Sequence, residues 1–259
     1  MSLRFDASTS RRLVASYQTE DIVEQRRIVR EAIAARAGER VLDIGSGPAL
    51  LAAELARAVG PDGSVDGIDI SEDMLAIARA REPERGAGPM RFHAAPATEL
   101  PFADASFDVV VCTQVYEYVP EIDRALAQAH RVLVPGGRLV ILDTDWDSLV
   151  WRSPDAALMA RVMRAWDEHL ADPYLPRRLP GLLRAAGFTS VSSSAFMLLN
   201  DGYREDTFSA GLLKLITRFV PGRHGLSEAD AQAWAAGLTA LGEDYFFSLG
   251  RYLFVALAP

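Results

Sequence analysis

Short continuous apolar runs recur along the chain, separated by longer stretches whose apolar residues return every three or four positions. Runs of the first kind predict strands buried on both faces, and the second pattern predicts amphipathic helices. Residues 8–37 read as a helical lead-in, with Val14, Tyr17, Ile22, Val29 and Ile33 forming an apolar stripe among many charges. Residues 40–44 predict a first strand, and the Ala/Leu-rich stretch 48–59 a helix. Residues 65–70 predict a second strand. Ser71 is placed to cap the helix behind it, with Met74, Leu75, Ile77 and Ala78 facing inward. Strands at 90–94, 107–113 and 138–142 follow. A helix at 122–133 and a Pro135-Gly136-Gly137 turn precede the last of them.

Strands alternating with helices predict an α/β fold with a doubly wound, mostly parallel sheet. Ligands of such sheets bind beyond the carboxyl ends of the strands. After residue 150 the rhythm changes. Helices are expected at 153–170, 180–186, 207–220 and 227–241, and strands at 188–198 and 245–257. The two helices within 207–241 interrupt a strand pair and predict a cap over the ligand edge. The expected organisation is a lead-in or lid at 1–37, a binding core at 38–150, and the rest of the sheet at 151–259. The cap occupies about 200–242 of that last part.

Composition narrows the function. With 49% apolar and 24% charged residues the chain is of ordinary globular kind, which excludes disorder as the main reading. Residues 1–150 carry 16 basic and 24 acidic groups and hold the whole negative excess. An acidic surface repels phosphate backbones, so no nucleic-acid partner is expected. Lys214 is the sole lysine, and the phosphate-binding loop that ends in Gly-Lys-Ser/Thr is absent. Cys112 is the sole cysteine, so neither an intrachain disulfide nor a thiolate zinc cluster is available. Residues 1–12 lack the apolar core of a signal peptide, and no run of eighteen apolar residues occurs. A cytoplasmic protein without a membrane partner is expected, and a homodimer is compatible with it.

The sharpest segment is Val41-Leu42-Asp43-Ile44-Gly45-Ser46-Gly47-Pro48-Ala49-Leu50. A strand runs into a glycine turn and a helix follows. Gly45 permits the tight turn and Gly47 a close backbone approach to a ligand. The third glycine of a dinucleotide fingerprint is missing, because Leu50 stands there. Asp43 would repel a pyrophosphate and attract an ammonium. Asp69 ends the second strand, 24 residues after Gly45, where an acid can accept both hydrogen bonds of a ribose diol. Ribose plus a cationic group, without pyrophosphate, describes S-adenosylmethionine.

Four motifs occur in order: Asp43-Ile44-Gly45-Ser46-Gly47; Asp69; Leu100-Pro101-Phe102 with Ser106-Phe107-Asp108-Val109-Val110; and Leu133-Val134-Pro135-Gly136-Gly137-Arg138-Leu139. Together, over about residues 35–145, they resemble a class I S-adenosylmethionine-dependent methyltransferase of the small-molecule type. The resemblance implies a Rossmann-like seven-stranded sheet whose last strand is antiparallel. It implies that Gly45, Ser46 and Gly47 line the methionine part of the cofactor, with Asp43 toward its ammonium. Asp69 would hold the ribose hydroxyls, with Ile70 and Met74 beside the adenine. Ala97 and Thr98 would serve the adenine edge, although Pro96 stands where the family usually has an acid. Gln114 would lie by the methionine moiety, and Tyr17 and Arg26 would close over the cofactor.

The acceptor site should follow the fourth and fifth strands. Gln114-Val115-Tyr116-Glu117-Tyr118 and Asp143-Thr144-Asp145-Trp146-Asp147 form an acidic, aromatic mouth there. It could hold a cationic acceptor against Trp146 and Tyr118, or supply a general base from Glu117 or Asp145. A divalent-metal site is a third use, since oxygen ligands suit magnesium; no metal is assigned. His169, in Trp166-Asp167-Glu168-His169, could be a base oriented by an acid, although a surface helix position is the plainer expectation. The alternatives to a small-molecule methyltransferase are an NAD(P)-dependent oxidoreductase on a similar sheet and an S-adenosylmethionine-binding protein without turnover.

Overall fold

The strands at residues 90–94, 64–69, 40–44, 107–113, 133–144 and 246–257 lie side by side in that order, and every neighbouring pair up to 133–144 is parallel. This is a computed structural model, which describes residue 14 and residues 17–259. The rest of the expected lead-in, residues 8–13 and 15–16, lies outside the described residues. The sheet strands are β1 (Arg40–Ile44), β2 (Ser64–Asp69), β3 (Met90–Ala94), β4 (Phe107–Thr113), β5 (Leu133–Thr144), β6 (Val150–Trp151), β7 (Thr189–Asp201) and β8 (Phe246–Leu257). The helices are α1 (Glu20–Ile33), α2 (Leu50–Val59), α3 (Glu72–Arg79), α4 (Ile122–Val132), α5 (Ala156–Asp167), α6 (Leu179–Ala185), α7 (Phe208–Phe219) and α8 (Glu228–Thr239).

β8 runs antiparallel to β5, β6 and β7. Strand β7 covers one edge of β8 along nearly its whole length; β5 and then the two-residue β6 share the other. The sheet therefore has an eighth, very short strand beyond the seven expected. Side chains alternate across it. Leu42, Ile44, Val110, Cys112, Leu139 and Ile141 face α4 and α6 through Leu126, Ala129, Leu179 and Leu183. Val41, Val65, Val109, Val111, Val140 and Leu142 face α1 and α2 through Val29, Ile33, Leu51 and Leu55. Burial on both faces explains why these strands read as unbroken apolar runs.

Local chemistry fixes the boundaries. The Ser71 hydroxyl accepts from Met74 N at 3.3 Å, which starts α3 where the sequence placed it. Asp155, Thr207 and Ser227 cap α5, α7 and α8 in the same way. The Pro135-Gly136-Gly137 turn lies inside β5 as an irregularity. Phe107 pairs with Leu133 while Val109 pairs with Arg138, and Gly136 adopts a φ of 80°. Helices α5, α7 and α8 enclose a third apolar cluster with Trp146, Trp151 and Phe247 on the carboxyl side of the sheet. The expected helix at 153–170 is shorter at both ends, and its last residues fold back on themselves, with consequences for His169.

Arg138 ties the lead-in to the sheet. Its guanidinium donates to Glu39 Oε1 and Oε2 at 2.9 and 2.8 Å, and to the carbonyls of Ile33 and Ala34 at 2.6 and 3.0 Å. Cations at a helix carboxyl end also meet its dipole favourably. Arg138→Ala should cost about 2 kcal/mol of unfolding free energy, read from denaturant midpoints. A loss below a few tenths would show that the helix end is held by apolar packing alone.

Candidate active site

Strand β1 ends at Ile44 and the chain turns through Gly45, at φ 70°, and Gly47, at φ 51°. A Cβ on Gly45 would lie 2.2 Å from Val115 Cγ2, whereas one on Gly47 would meet nothing within 4 Å. The first glycine is thus demanded by packing, and the second leaves room on the ligand side. Ser46 is buried, donates its N–H to Ile68 O at 2.9 Å, and has a hydroxyl without a partner. Asp69 joins the two turns at this edge. One carboxylate oxygen accepts from Gly47 N at 3.0 Å and the other from Ser71 N at 2.8 Å.

Electrostatics here is governed by burial. Asp43 is 2% exposed, and burial, then the nearby Asp69 charge, pushes its carboxyl up to about 8. Asp69 is raised too by burial, opposed by its backbone N–H bonds. Ile70 is 75% exposed, an apolar side chain standing beside these acids with one face open. Met74 is buried in α3, Ala97 is buried and Thr98 half-buried, while Pro96 is exposed. The Tyr17 phenol is pushed up to about 12 by burial and by Asp69 and Glu117, against Arg251. It therefore stands between the Asp69 region and the acceptor mouth. Arg26 turns its guanidinium to the lead-in backbone and to α2. It bonds the Tyr17 carbonyl and pairs with Glu54 at 3.3 Å, so it positions Tyr17.

The acceptor mouth differs from the expected open acidic rim. Asp145 is locked to Arg177 through both oxygens, at 2.5 and 2.8 Å, and Asp147 pairs with the same arginine at 2.7 Å. Both Asp145 oxygens are thus occupied by a guanidinium instead of facing an acceptor. Among the described residues no group of three or more His, Cys, Asp or Glu side chains could hold a metal ion.

Glu117 and Asp143 are buried side by side. Burial raises both. Glu117 stands at about 7, held down from there by the Arg251 charge and by bonds from Trp146 and Asp143, while the Glu117 charge and that same bond raise Asp143 further. Glu117 Oε2 accepts from Trp146 Nε1 at 3.2 Å.

His169 is not a surface histidine. It is 3% exposed, with its ring stacked on Trp166 at 3.6 Å and edge-on to Trp146 and Tyr118 at 5.3 and 5.8 Å. The reversal after α5 explains this: Ala171 and Asp172 donate their N–H groups to the Glu117 carbonyl, at 2.9 and 3.0 Å. His169 is oriented by a carbonyl rather than an acid, since Nδ1 bonds Trp166 O. Its Nε2 has no partner among the described residues, and burial lowers its basicity to about 4, so the ring is neutral.

Residues 42–141 match the family described as Methyltransferase domain. Over that segment, 100 of the 259 residues, the chain is similar to methyltransferases. The ubiquinone/menaquinone biosynthesis C-methyltransferase UbiE of Pseudomonas putida is 44% identical over 119 residues, 46% of this chain and 46% of that protein. A Bacillus halodurans C-125 protein assigned as a methyltransferase superposes with a TM-score of 0.64 at 20% identity, covering 91% of this chain and 99% of that one. Haemonchus contortus phosphoethanolamine N-methyltransferase 2, solved with S-adenosyl-L-methionine, gives 0.63 at 18% identity, covering 98% and 58%. At such identities the structural matches establish the fold. The chain spans about half the length of the curated relatives it matches.

Two residues beyond the matched segment, given no role by the sequence, stand at the site. Thr144, at the end of β5, accepts from both Gln114 Nε2 and Arg251 Nη1. Gln114 itself sits at a φ of 58°, which aims its side chain across the strand ends. Arg251 lies opposite Thr144 in β8 and is 1% exposed. The available signal was a lone charge within the otherwise apolar run 245–257.

Proposed function

We propose that this chain is an S-adenosylmethionine-dependent methyltransferase acting on a small-molecule acceptor. The observation that carries this reading is the glycine turn flanked by two buried acids, Asp43 and Asp69, with open space at Gly47. Bound there, S-adenosylmethionine supplies an electrophilic methyl group on a sulfonium. The residues present suit it. Asp43 offers a buried carboxylate to an ammonium, Asp69 offers free lone pairs to a diol, and Ile70 offers a flat apolar surface. A pyrophosphate would meet two acids instead, which disfavours the nicotinamide reading.

The protein's part in such a displacement is positioning and exclusion of water. Helices α5, α7 and α8 serve as the cap, and Tyr17 closes the cofactor side. Trp146, Tyr118 and His169 line the acceptor space. Where the acceptor must lose a proton, Glu117 takes it. Its carboxyl titrates near neutrality, where a base works best, and Asp143 stands beside it. Neutral His169, too weak a base for that step, accepts a hydrogen bond through Nε2. Asp145 holds the Trp146 turn through its bond from Asp147 N at 3.1 Å. Every residue of the proposed site comes from one chain, so a homodimer is not required. No helix among the described residues is long and apolar enough to cross a membrane; action in the cytoplasm is the proposed setting.

Calorimetric titration with S-adenosylmethionine and S-adenosylhomocysteine, with NADH and NADPH as controls, tests the cofactor. Micromolar binding of the adenosyl ligands alone is expected. The same titration yields a sharper signal. Asp43 is mostly protonated in the free protein at pH 7, its carboxyl standing at about 8. An ammonium beside it favours the carboxylate, so binding should release up to one proton per site. The release appears as a dependence of the measured heat on buffer ionisation enthalpy, and Asp43→Asn should abolish it. Binding without proton release in the wild type would remove Asp43 from the ammonium.

A further inference from the structure

Arg251 presents a buried guanidinium with donors to spare. Its Nη1 bonds Thr144 Oγ1, and its Cζ lies 4.9 Å from the centroid of the Phe208 ring, but Nε and Nη2 have no hydrogen-bond partner among the described residues. Leaving charged donors unpaired in a protein interior is costly, and native structures rarely do so without a functional reason. The neighbouring acids Glu117 and Asp143 attract the guanidinium through space. They do not hydrogen-bond it among the described residues: Glu117 turns Oε2 to Trp146, and Glu117 and Asp143 engage each other.

The position of these orphaned groups is informative. Arg251 joins the Gln114–Thr144 chain at the ends of β4 and β5, beside the glycine turn. Its charge is felt by Tyr17, Glu117 and Tyr118, so it borders the acceptor mouth. Phe208, the first residue of α7, makes a cation–π contact with the guanidinium. The edge left free, Nε–H together with Nη2–H, is the fork that matches the two oxygens of a carboxylate.

We propose that Arg251 determines acceptor specificity, taking a small molecule that carries a carboxylate on an apolar, ring-sized body. The carboxylate accepts from Nε and Nη2, and the body lies among Phe208, Tyr118 and Trp146. This rests on the methyltransferase reading above and adds the acceptor's charge to it. The cationic acceptor considered from sequence is disfavoured, since Arg251 repels it and Asp145 and Asp147 are both ion-paired with Arg177.

Benzoate is a probe small enough for such a site, with benzamide as its uncharged match. Both are titrated into the wild-type protein saturated with S-adenosylhomocysteine, and into the Arg251→Met and Arg251→Lys variants. Wild type should bind benzoate at least tenfold more tightly than benzamide. Arg251→Met should erase the preference, and Arg251→Lys should keep only part of it, because an ammonium lacks the fork. S-adenosylhomocysteine affinity should stay within twofold in both variants. The melting temperature of Arg251→Met should equal or exceed that of wild type, because an unpaired buried charge has been removed. Several outcomes overturn the proposal. One is benzoate bound no better than benzamide by wild type. Another is a preference that survives Arg251→Met. A tenfold loss of S-adenosylhomocysteine in the variants would assign Arg251 to the cofactor's own carboxylate. A marked fall in melting temperature would make it a structural ion-pair partner of Glu117 and Asp143. Failure of wild type to bind S-adenosylhomocysteine would sink the cofactor reading and this proposal together, whereas failure of the benzoate arm alone sinks only the proposal.

Discussion

Asp69→Ala is expected to weaken S-adenosylhomocysteine binding about a hundredfold, close to 3 kcal/mol. Two effects add. A diol held by a carboxylate makes charge-assisted hydrogen bonds, each contributing about 1.5–3 kcal/mol. The same carboxylate clamps Gly47 N at 3.0 Å and Ser71 N at 2.8 Å, so its removal also loosens both turns that frame the ligand. Asp69→Asn separates the two. The amide oxygen can keep one backbone bond while the charge is lost, and roughly tenfold weakening is expected. Calorimetry of the three proteins decides the matter. Affinity within threefold of wild type in the alanine variant would reduce Asp69 to a cap for the start of α3.

Gly45→Ala is expected to fail by crowding. The new methyl group would stand 2.2 Å from Val115 Cγ2, and the backbone there has a φ of 70°. Overpacking of this kind costs about 1–3 kcal/mol, and the left-handed backbone adds about 1 kcal/mol. A melting point lower by roughly 5–12 °C follows for a chain of this size. Val115→Ala in the same molecule removes both Cγ atoms. It should restore most of the loss and leave only the backbone strain. No recovery in the double variant would mean that conformation at Gly45, rather than contact with Val115, is decisive. Gly47→Ala provides the contrast. Nothing lies within 4 Å of its Cβ position, so strain is the main cost to stability, while ligand affinity should suffer.

What could be read from the chain follows from which contacts are local. Asp43, Gly45, Gly47 and Asp69 sit at strand ends whose positions are fixed by apolar runs and glycine chemistry. Their juxtaposition follows from β1 pairing with β2. The alternation of strands and helices through residue 144 is legible for the same reason. His169 is different. Residues 166–169 look like a polar helix end, and only the return of the chain onto the Glu117 carbonyl buries the ring. Asp145 seemed free because its partner, Arg177, is 32 residues distant and lies in a short turn with no periodicity. Arg26 seemed aimed at the ligand because Glu54, its partner in α2, gives no sign of pairing in the sequence. Arg251 needed the pairing of β8 with β5, which sets it opposite Thr144 across 107 residues.

That pairing also bears on how the protein is made. Strand β8 is synthesised after every other strand of the sheet, yet it lies between β5 and β7. Until residues 246–257 are available, β7 has no neighbour, and the facing edge of β5 is an open row of backbone donors and acceptors. Such edges template association with other chains. The nascent protein therefore holds its glycine turn, β1 and β4 in a finished half-sheet while the wall bearing Arg251 is still missing. Assembly of the two halves of the site is separated in time, and the interval between them is when the chain is most exposed to aggregation.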